Sequence, residues 1–255
     1  MGRRLLSIVG TGMRAGPDTT AESRACIIGA NKVLYLVADP LAAAWVENLN
    51  ANCESLAGIY TPGAPRDEIY AAMVEKILSS ARCSESLCVV FYGHPGVFVY
   101  PGHEAIRRAQ SEGIEARMLP GISADARLFT DLGIDPGECG YQSYEATSFL
   151  VHRYRFDPRA ALVLWQVGAL GEFRWMPNAG PVRLDALMDY LESHYGSAHE
   201  VVLYEAACDP VSGPIIDSFP LRDLAKAEAT TASTLYVPPK GKPKPDFETL
   251  RKMST

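Results

Sequence analysis

Residues 86–103 read SLCVVFYGHPGVFVYPGH. An apolar, β-branched run ends abruptly in Tyr92-Gly93-His94-Pro95-Gly96, turns apolar again, and meets a second Pro-Gly pair before a helical pattern begins. A buried strand that ends in small residues and feeds a helix is the grammar of a parallel sheet. Glycine at such a turn lets backbone approach backbone, or a ligand, closely. The same grammar recurs on either side. LLSIVGTG (Leu5–Gly12) reads as a first strand, TAESRACIIGANK as a helix and KVLYLVAD (Lys32–Asp39) as a second strand. Asp39 and Pro40 then provide an N-cap and a first helical residue for PLAAAWVENLN. The run CESLAGIYTPGAP reads as a short strand or loop. Pro65–Cys83 is the clearest helix, with acids in its first turn and an apolar stripe of Ile69, Met73, Ile77 and Leu78. Beyond the quoted stretch come the helix HEAIRRAQSEG and the strand-turn-helix start GIEARMLPGISA.

The second half repeats the alternation less regularly. Strands are expected at Ala161–Gly168, in HEVVLYEAA and at Ser233–Pro239, with a helix over Arg183–Gly196. Alternating strand and helix patterns predict an α/β protein with mainly parallel sheets. The expected organisation is an N-terminal α/β domain over 1–120, a C-terminal α/β domain over 121–240, and a Lys/Pro-rich tail, a linker or loosely docked end, over 241–255.

The chain has 255 residues and a net charge of −6, which excludes a broad basic field for nucleic acid. No apolar run reaches the roughly 18 residues a membrane span needs, and the N-terminus reads as a strand rather than a signal peptide. Six cysteines in no metal or C-x-x-C spacing are expected to be buried free thiols of a cytoplasmic protein. The five histidines have no ligand spacing, so no metal is predicted. The turn GTGMRAGPDTT is neither a dinucleotide fingerprint nor a P-loop; a tight turn and a functional loop both fit it. Three glycine turns at strand ends, YGHPGVF, LPGISA and WQVG, are candidates to converge on one crevice, where open α/β sheets bind ligands.

IYTPGAPRDEIY adds a different signal. Arg66 and Tyr70 share a helix face, and Tyr60 precedes them across a Pro-Gly turn. Two phenols and a guanidinium that meet are either a half-buried stack or a device for moving a proton and holding an oxyanion, because a neighbouring Arg favours the phenolate.

YGHPGVFV, EGIEARMLPGISAD, LFTDLGIDPG, YEATSFL and LWQVG together resemble the borosin peptide backbone α-N-methyltransferases of the tetrapyrrole methylase superfamily, the class III methyltransferases. The resemblance runs from SIVGTG through STLYVPP. It implies two α/β domains with a cofactor cleft between them, homodimers, and S-adenosylmethionine as methyl donor with S-adenosylhomocysteine as product. It implies cofactor contacts at Tyr92, His94, Val97, Phe98, Ser123, Ala124, Gln166, Ala206, Ala207, Ser233 and Thr234. It also implies a catalytic group of Tyr60, Arg66 and Tyr70, with Tyr92 beside the cofactor loop; Tyr70 and Tyr92 stand equal as the base. The implied acceptor is a backbone amide of a precursor peptide. The charged run KGKPKPDFETLRKMST is unlike an apolar core peptide, so the expected precursor is a separate polypeptide, as in split borosins. A tetrapyrrole-like small molecule is the alternative substrate, and a non-catalytic binding module the alternative class.

Overall fold

The computed structural model describes residues 4–176, 182–209, 211–242 and 245–254, so parts of the expected tail lie outside it. The chain forms two compact units. The first comprises Met1–Leu132, Glu172–Asn178 and Ala206–Pro214; the second comprises Gly133–Gly171, Ala179–Glu205 and Ile215–Thr255.

In the first unit the order is β1 (Leu5–Gly10), α1 (Ala21–Gly29), β2 (Lys32–Leu36), α2 (Pro40–Leu49), β3 (Cys53–Ser55), α3 (Arg66–Cys83), β4 (Ser86–Phe91), α4 (Tyr100–Ser111), β5 (Glu115–Met118) and α5 (Ala124–Leu132). The strands lie in the order β3-β2-β4-β1-β5, and every pairing is parallel. The apolar strands are buried on both faces, and the alternation of strand side chains divides them between two cores. Leu6, Ile8, Leu34, Val89 and Phe91 pack with Val74, Ile77, Leu78, Ala105 and Ala109 from α3 and α4. Val9, Val33, Tyr35, Cys88 and Val90 pack with Ile27 and Val46 from α1 and α2. Local chemistry agrees with this packing. Asp39 accepts hydrogen bonds from the Leu41 and Ala42 N–H groups, with Pro40 opening α2, and Thr20 caps α1 through the Ser23 N–H. The stripe of α3 is buried as its period predicts: Ile69, Met73, Ile77 and Leu78 are 0–3% exposed.

The second unit contains β6 (Tyr141–Glu145), α6 (Ala146–His152), β7 (Ala161–Trp165), α7 (Asp185–Tyr195), β8 (Glu200–Glu205), β9 (Ile215–Pro220), β10 (Thr234–Val237) and α8 (Phe247–Met253). Its sheet order is β6-β7-β10-β8-β9. Here the expectation of mainly parallel sheets needs correction. Only β6 and β7 pair in parallel, while β10 runs antiparallel to both β7 and β8, and β8 antiparallel to β9. β9 carries the sequence IIDSFP, exposed over its first four residues, and its polar centre conceals an edge strand. Two further expectations change. All six cysteines are free, yet only Cys88 is buried, and Cys83, at the end of α3, is exposed. Within the tail, Asp246 caps the short helix α8, whose described residues are all exposed. Among the described residues, no helix is long and apolar enough to cross a membrane.

Candidate active site

The carboxyl ends of β1, β4 and β5 meet backbone to backbone. The Gly12 and Gly93 amides exchange hydrogen bonds, with N–O distances of 3.2 and 2.8 Å. A Cβ on Gly10 would lie 2.2 Å from the Gly93 carbonyl oxygen, and one on Gly121 would lie 2.6 Å from the same oxygen. Only glycine permits both approaches. The YGHPGVF and LPGISA loops therefore converge, and GTGMRAGPD joins them. That first loop is internally braced: Arg14 holds the buried Asp18 carboxylate at 2.9 Å, and the Thr19 hydroxyl donates to the Thr11 carbonyl at 2.6 Å. Burial alone would raise the Asp18 pKa, but the Arg14 hydrogen bonds outweigh it and hold the carboxyl below its ordinary value.

The loop after β4 is braced by its own histidines. His94 Nδ1 accepts from the Gly96 N–H at 3.0 Å, and His103 Nε2 donates to the Gly96 carbonyl at 2.9 Å. Apolar side chains held on this brace face outward: Tyr92 is 45% exposed, Val97 41% and Phe98 52%. Exposed apolar groups gathered on a rigid loop mark a surface suited to a ligand. Ser123 and Ala124 stand at the start of α5, where the Ser123 hydroxyl donates to the Asp125 carboxylate.

Tyr60, Arg66, Tyr70 and Tyr92 come together within the first unit. Burial pushes the Tyr60 phenol up to about 12; Tyr70 and Tyr92 add to the rise, and Arg66 opposes it. The Tyr92 pKa is also raised although much of its side chain is exposed: desolvation at the phenol comes first, then Tyr70 and Cys208, again against Arg66. Proximity to arginine predicts easier phenolate formation; desolvation reverses the outcome for these two groups, and both are phenols at neutral pH. Arg66 lies at the N-terminus of α3, 3.7 Å from Glu172. Its Nε atom is buried and has no hydrogen-bond partner. The Tyr100 ring centroid lies 6.4 Å from that of Tyr70, and the Trp175 ring lies 5.1 Å from that of Tyr60. Tyr100, Glu172 and Trp175 were not singled out by the sequence. Tyr100 sits inside the quoted loop. Glu172 and Trp175 arrive from far along the chain, and no local spacing signals them.

The remaining sequence candidates divide between the units. Ala206 and Ala207 belong to the first unit, and Ala207 is buried. Gln166, Ser233 and Thr234 lie in the second. Gln166 adopts a left-handed conformation at φ 58° and ψ 38°, and a Cβ on Gly168 would lie 1.9 Å from the Thr230 carbonyl oxygen. Ser233 is wholly buried. Its hydroxyl donates to Glu205 at 2.5 Å and accepts from the Thr230 N–H at 2.7 Å, while the Thr230 hydroxyl also donates to Glu205. Glu205 is thus the acceptor on which this turn is organised, and the sequence did not mark it. No group of three His, Cys, Asp or Glu side chains suited to a metal occurs among the described residues. A pocket of about 340 Å³ in the first unit, lined by Ser7, Cys26, Cys88 and Arg117 among others, shares no residue with the tyrosine cluster.

Comparison with known proteins places these features in context. Residues 5–212 match the tetrapyrrole (corrin/porphyrin) methylases. The chain is 41% identical over 254 residues to a methyltransferase/ribosomally synthesized cyclic peptide gymnopeptides precursor from Gymnopus fusipes, covering 97% of this chain and 60% of that protein. It is 38% identical to the corresponding omphalotin A precursor protein of Omphalotus olearius, covering 97% and 61%. The chain thus spans about three fifths of the length of these curated relatives. Among solved structures, uroporphyrin-III-C-methyltransferase from Thermus thermophilus superposes with a TM-score of 0.66 at 17% identity, covering 93% of each chain. A cobalt precorrin-4 methyltransferase superposes at 0.65 with 16% identity, covering 92% of this chain and 94% of that one.

Proposed function

The chain belongs to the tetrapyrrole (corrin/porphyrin) methylase family, and from that premise we propose that it is an S-adenosylmethionine-dependent methyltransferase acting on backbone amides of a precursor peptide. The donor set suits the cofactor. The exposed faces of Tyr92, Val97 and Phe98 offer apolar and aromatic cover for an adenosyl group and a sulfonium, beside the braced glycine loop. Tyr92, His94, Val97, Phe98, Ser123, Ala124, Ala206 and Ala207 are the proposed contacts in the first unit. The cofactor, when bound, supplies a methyl carbon on sulfur and leaves as S-adenosylhomocysteine; the acceptor nitrogen exchanges its proton for that methyl.

One observation carries the amide reading. The Arg66 Nε–H is buried without an acceptor, and the phenols beside it are held protonated. An amide nitrogen is a poor nucleophile because its lone pair is delocalised into the carbonyl. Losing the N–H proton moves negative charge onto the oxygen. An imidate oxygen would give the Arg66 N–H its missing partner and accept from a phenol, where preorganised donors cost no reorganisation. The proton passes to the phenolate form of a tyrosine, Tyr70 or Tyr92, which is a minor fraction at neutral pH. Raising a phenol's pKa makes its phenolate scarcer at neutral pH but a stronger base once formed.

Identity of 37–41% to proteins named as cyclic peptide precursors supports the peptide reading over a tetrapyrrole substrate, which rests on fold likeness to structures of 16–18% identity. The same proposal makes the enzyme a cytoplasmic homodimer that takes its precursor as a separate polypeptide. The chain is expected to bind S-adenosylhomocysteine in calorimetry at about one site per chain. Coexpression with a candidate precursor should add about 14 Da per methyl on backbone nitrogens, read by tandem mass spectrometry. Additions confined to side chains would overturn the amide reading, and additions on a polypeptide continuous with this chain would overturn the separate precursor.

A further inference from the structure

Residues 172–176 lie across the loop that leads into α3. The Gly63 N–H donates to the Trp175 carbonyl at 2.9 Å, the Trp175 N–H to the Ala64 carbonyl at 3.0 Å, and the Arg66 N–H to the Phe173 carbonyl at 3.1 Å. The Arg174 guanidinium adds a bond to the Gly63 carbonyl at 2.7 Å. The last of the backbone bonds satisfies one of the orphan N–H groups at the start of α3, a helix with no side-chain cap. Phe173, Arg174 and Met176 project outward, whereas Glu172 and Trp175 are half-buried. Those two belong to none of the hydrophobic cores. Their side-chain contacts are instead with the reacting cluster: Glu172 with the Arg66 guanidinium at 3.7 Å, and Trp175 with the Tyr60 ring at 5.1 Å.

We infer that Glu172–Met176 is a positioning strap, in which Glu172 sets the guanidinium of Arg66 and Trp175 sets the ring of Tyr60. The inference rests on the proposed catalytic roles of Arg66 and Tyr60. A guanidinium that must present one buried N–H to a developing oxyanion has to be fixed in rotation. Its helix backbone fixes Cα alone, and the long side chain needs a second anchor at its far end. The carboxylate of Glu172 is that anchor. Tyr60 lies on the connection before α3, outside any strand or α-helix, and the indole supplies a wall that locks its ring while burying the phenol. Misplacement of such groups by about 1 Å costs on the order of 100-fold in rate.

The strap can be tested without an acceptor. In the full chain labelled with [15N]arginine, the Arg66 Nε–H signal, assigned through Arg66→Lys, is expected to exchange slowly with solvent. Glu172→Gln should accelerate that exchange about tenfold or more while S-adenosylhomocysteine binding is retained; unchanged exchange would overturn the inference. Turnover is measured on a synthetic peptide carrying the precursor segment of the Omphalotus olearius relative. Glu172→Gln and Trp175→Ala should each lower kcat about ten- to a hundredfold with KM little changed, and Trp175→Phe should restore most of the rate. If Arg66→Ala is inactive while Glu172→Gln and Trp175→Ala keep the wild-type kcat, the strap falls and the catalytic reading stands. If Arg66→Ala itself keeps the wild-type kcat, the catalytic reading falls, and the strap's assignment to it falls as well.

Discussion

The loop after β4 and the turn after β7 share one sequence grammar, an apolar strand closed by small residues, and put it to opposite uses. After β4, glycine clears space for neighbouring backbone, histidines brace the turn, and Tyr92, Val97 and Phe98 are held outward. After β7, the space at Gly168 is filled by the Thr230 carbonyl, and the hydroxyls of Thr230 and Ser233 converge on Glu205. One turn holds apolar side chains exposed and the other pairs its polar groups internally. The difference lies in what packs against each turn rather than in the turn residues. A glycine motif thus marks a close approach without saying what approaches.

The comparison is tested most severely at the chemistry beside the first loop. Arg66→Ala should cut methyl transfer by about 100-fold or more while leaving cofactor affinity within a few-fold, because the proposed oxyanion donor is lost outside the proposed cofactor loop. With the wild type, the rate should rise with pH across the neutral and alkaline range, since the proposed base is a phenolate and its fraction grows with pH. A rate independent of pH between about 7 and 9 would rule out a tyrosine base. Next in size are the two glycine contacts. Gly10→Ala and Gly168→Ala each force a Cβ to within 2.2 Å or less of a carbonyl oxygen. Each should cost about 1–3 kcal/mol or more in urea melts. Only Gly10→Ala, which disturbs the loop of Gly93 and Pro95, should also abolish S-adenosylhomocysteine binding if the two turns differ as described.

Ser233→Ala sharpens the contrast further. It leaves the Thr230 N–H without its hydroxyl acceptor and Glu205 with one donor fewer, at a cost of about 1–3 kcal/mol in stability. If Ser233 instead serves mainly as a cofactor contact, calorimetry will show a loss of affinity larger than the loss of stability. The smallest effect concerns the first loop. The Asp18 pKa is lowered on folding, so its contribution to stability is present above the unfolded carboxyl pKa and lost as pH falls through the folded value. Asp18→Asn should therefore show a shallower acid loss of stability than wild type below about pH 4, measured by denaturant titration at stepped pH.

Much of the first unit was legible in its residues. Apolar runs of strand length, Asp39-Pro40 and the buried stripe of α3 each report local physics, and parallel pairing follows from strands buried on both faces. Tyr60, Arg66 and Tyr70 were legible for the same reason: one helical turn and one Pro-Gly corner bring them together. β9 was hidden because an edge strand need not be apolar, and the antiparallel place of β10 because pairing partners are chosen at long range. Glu172, Trp175 and Glu205 carried no signal, since an isolated Glu or Trp acquires a role only from what it touches.

By itself the sequence determined the α/β alternation, the glycine turns and the tyrosine-arginine spacing, because these depend on neighbours within a few residues. The tertiary structure decided which turn holds its side chains exposed, which distant segment clasps Arg66, and the direction in which the buried phenol's pKa moves. An arginine nearby favours a phenolate, but removal from water opposes it more strongly at Tyr60, and burial is a property of the whole packed unit.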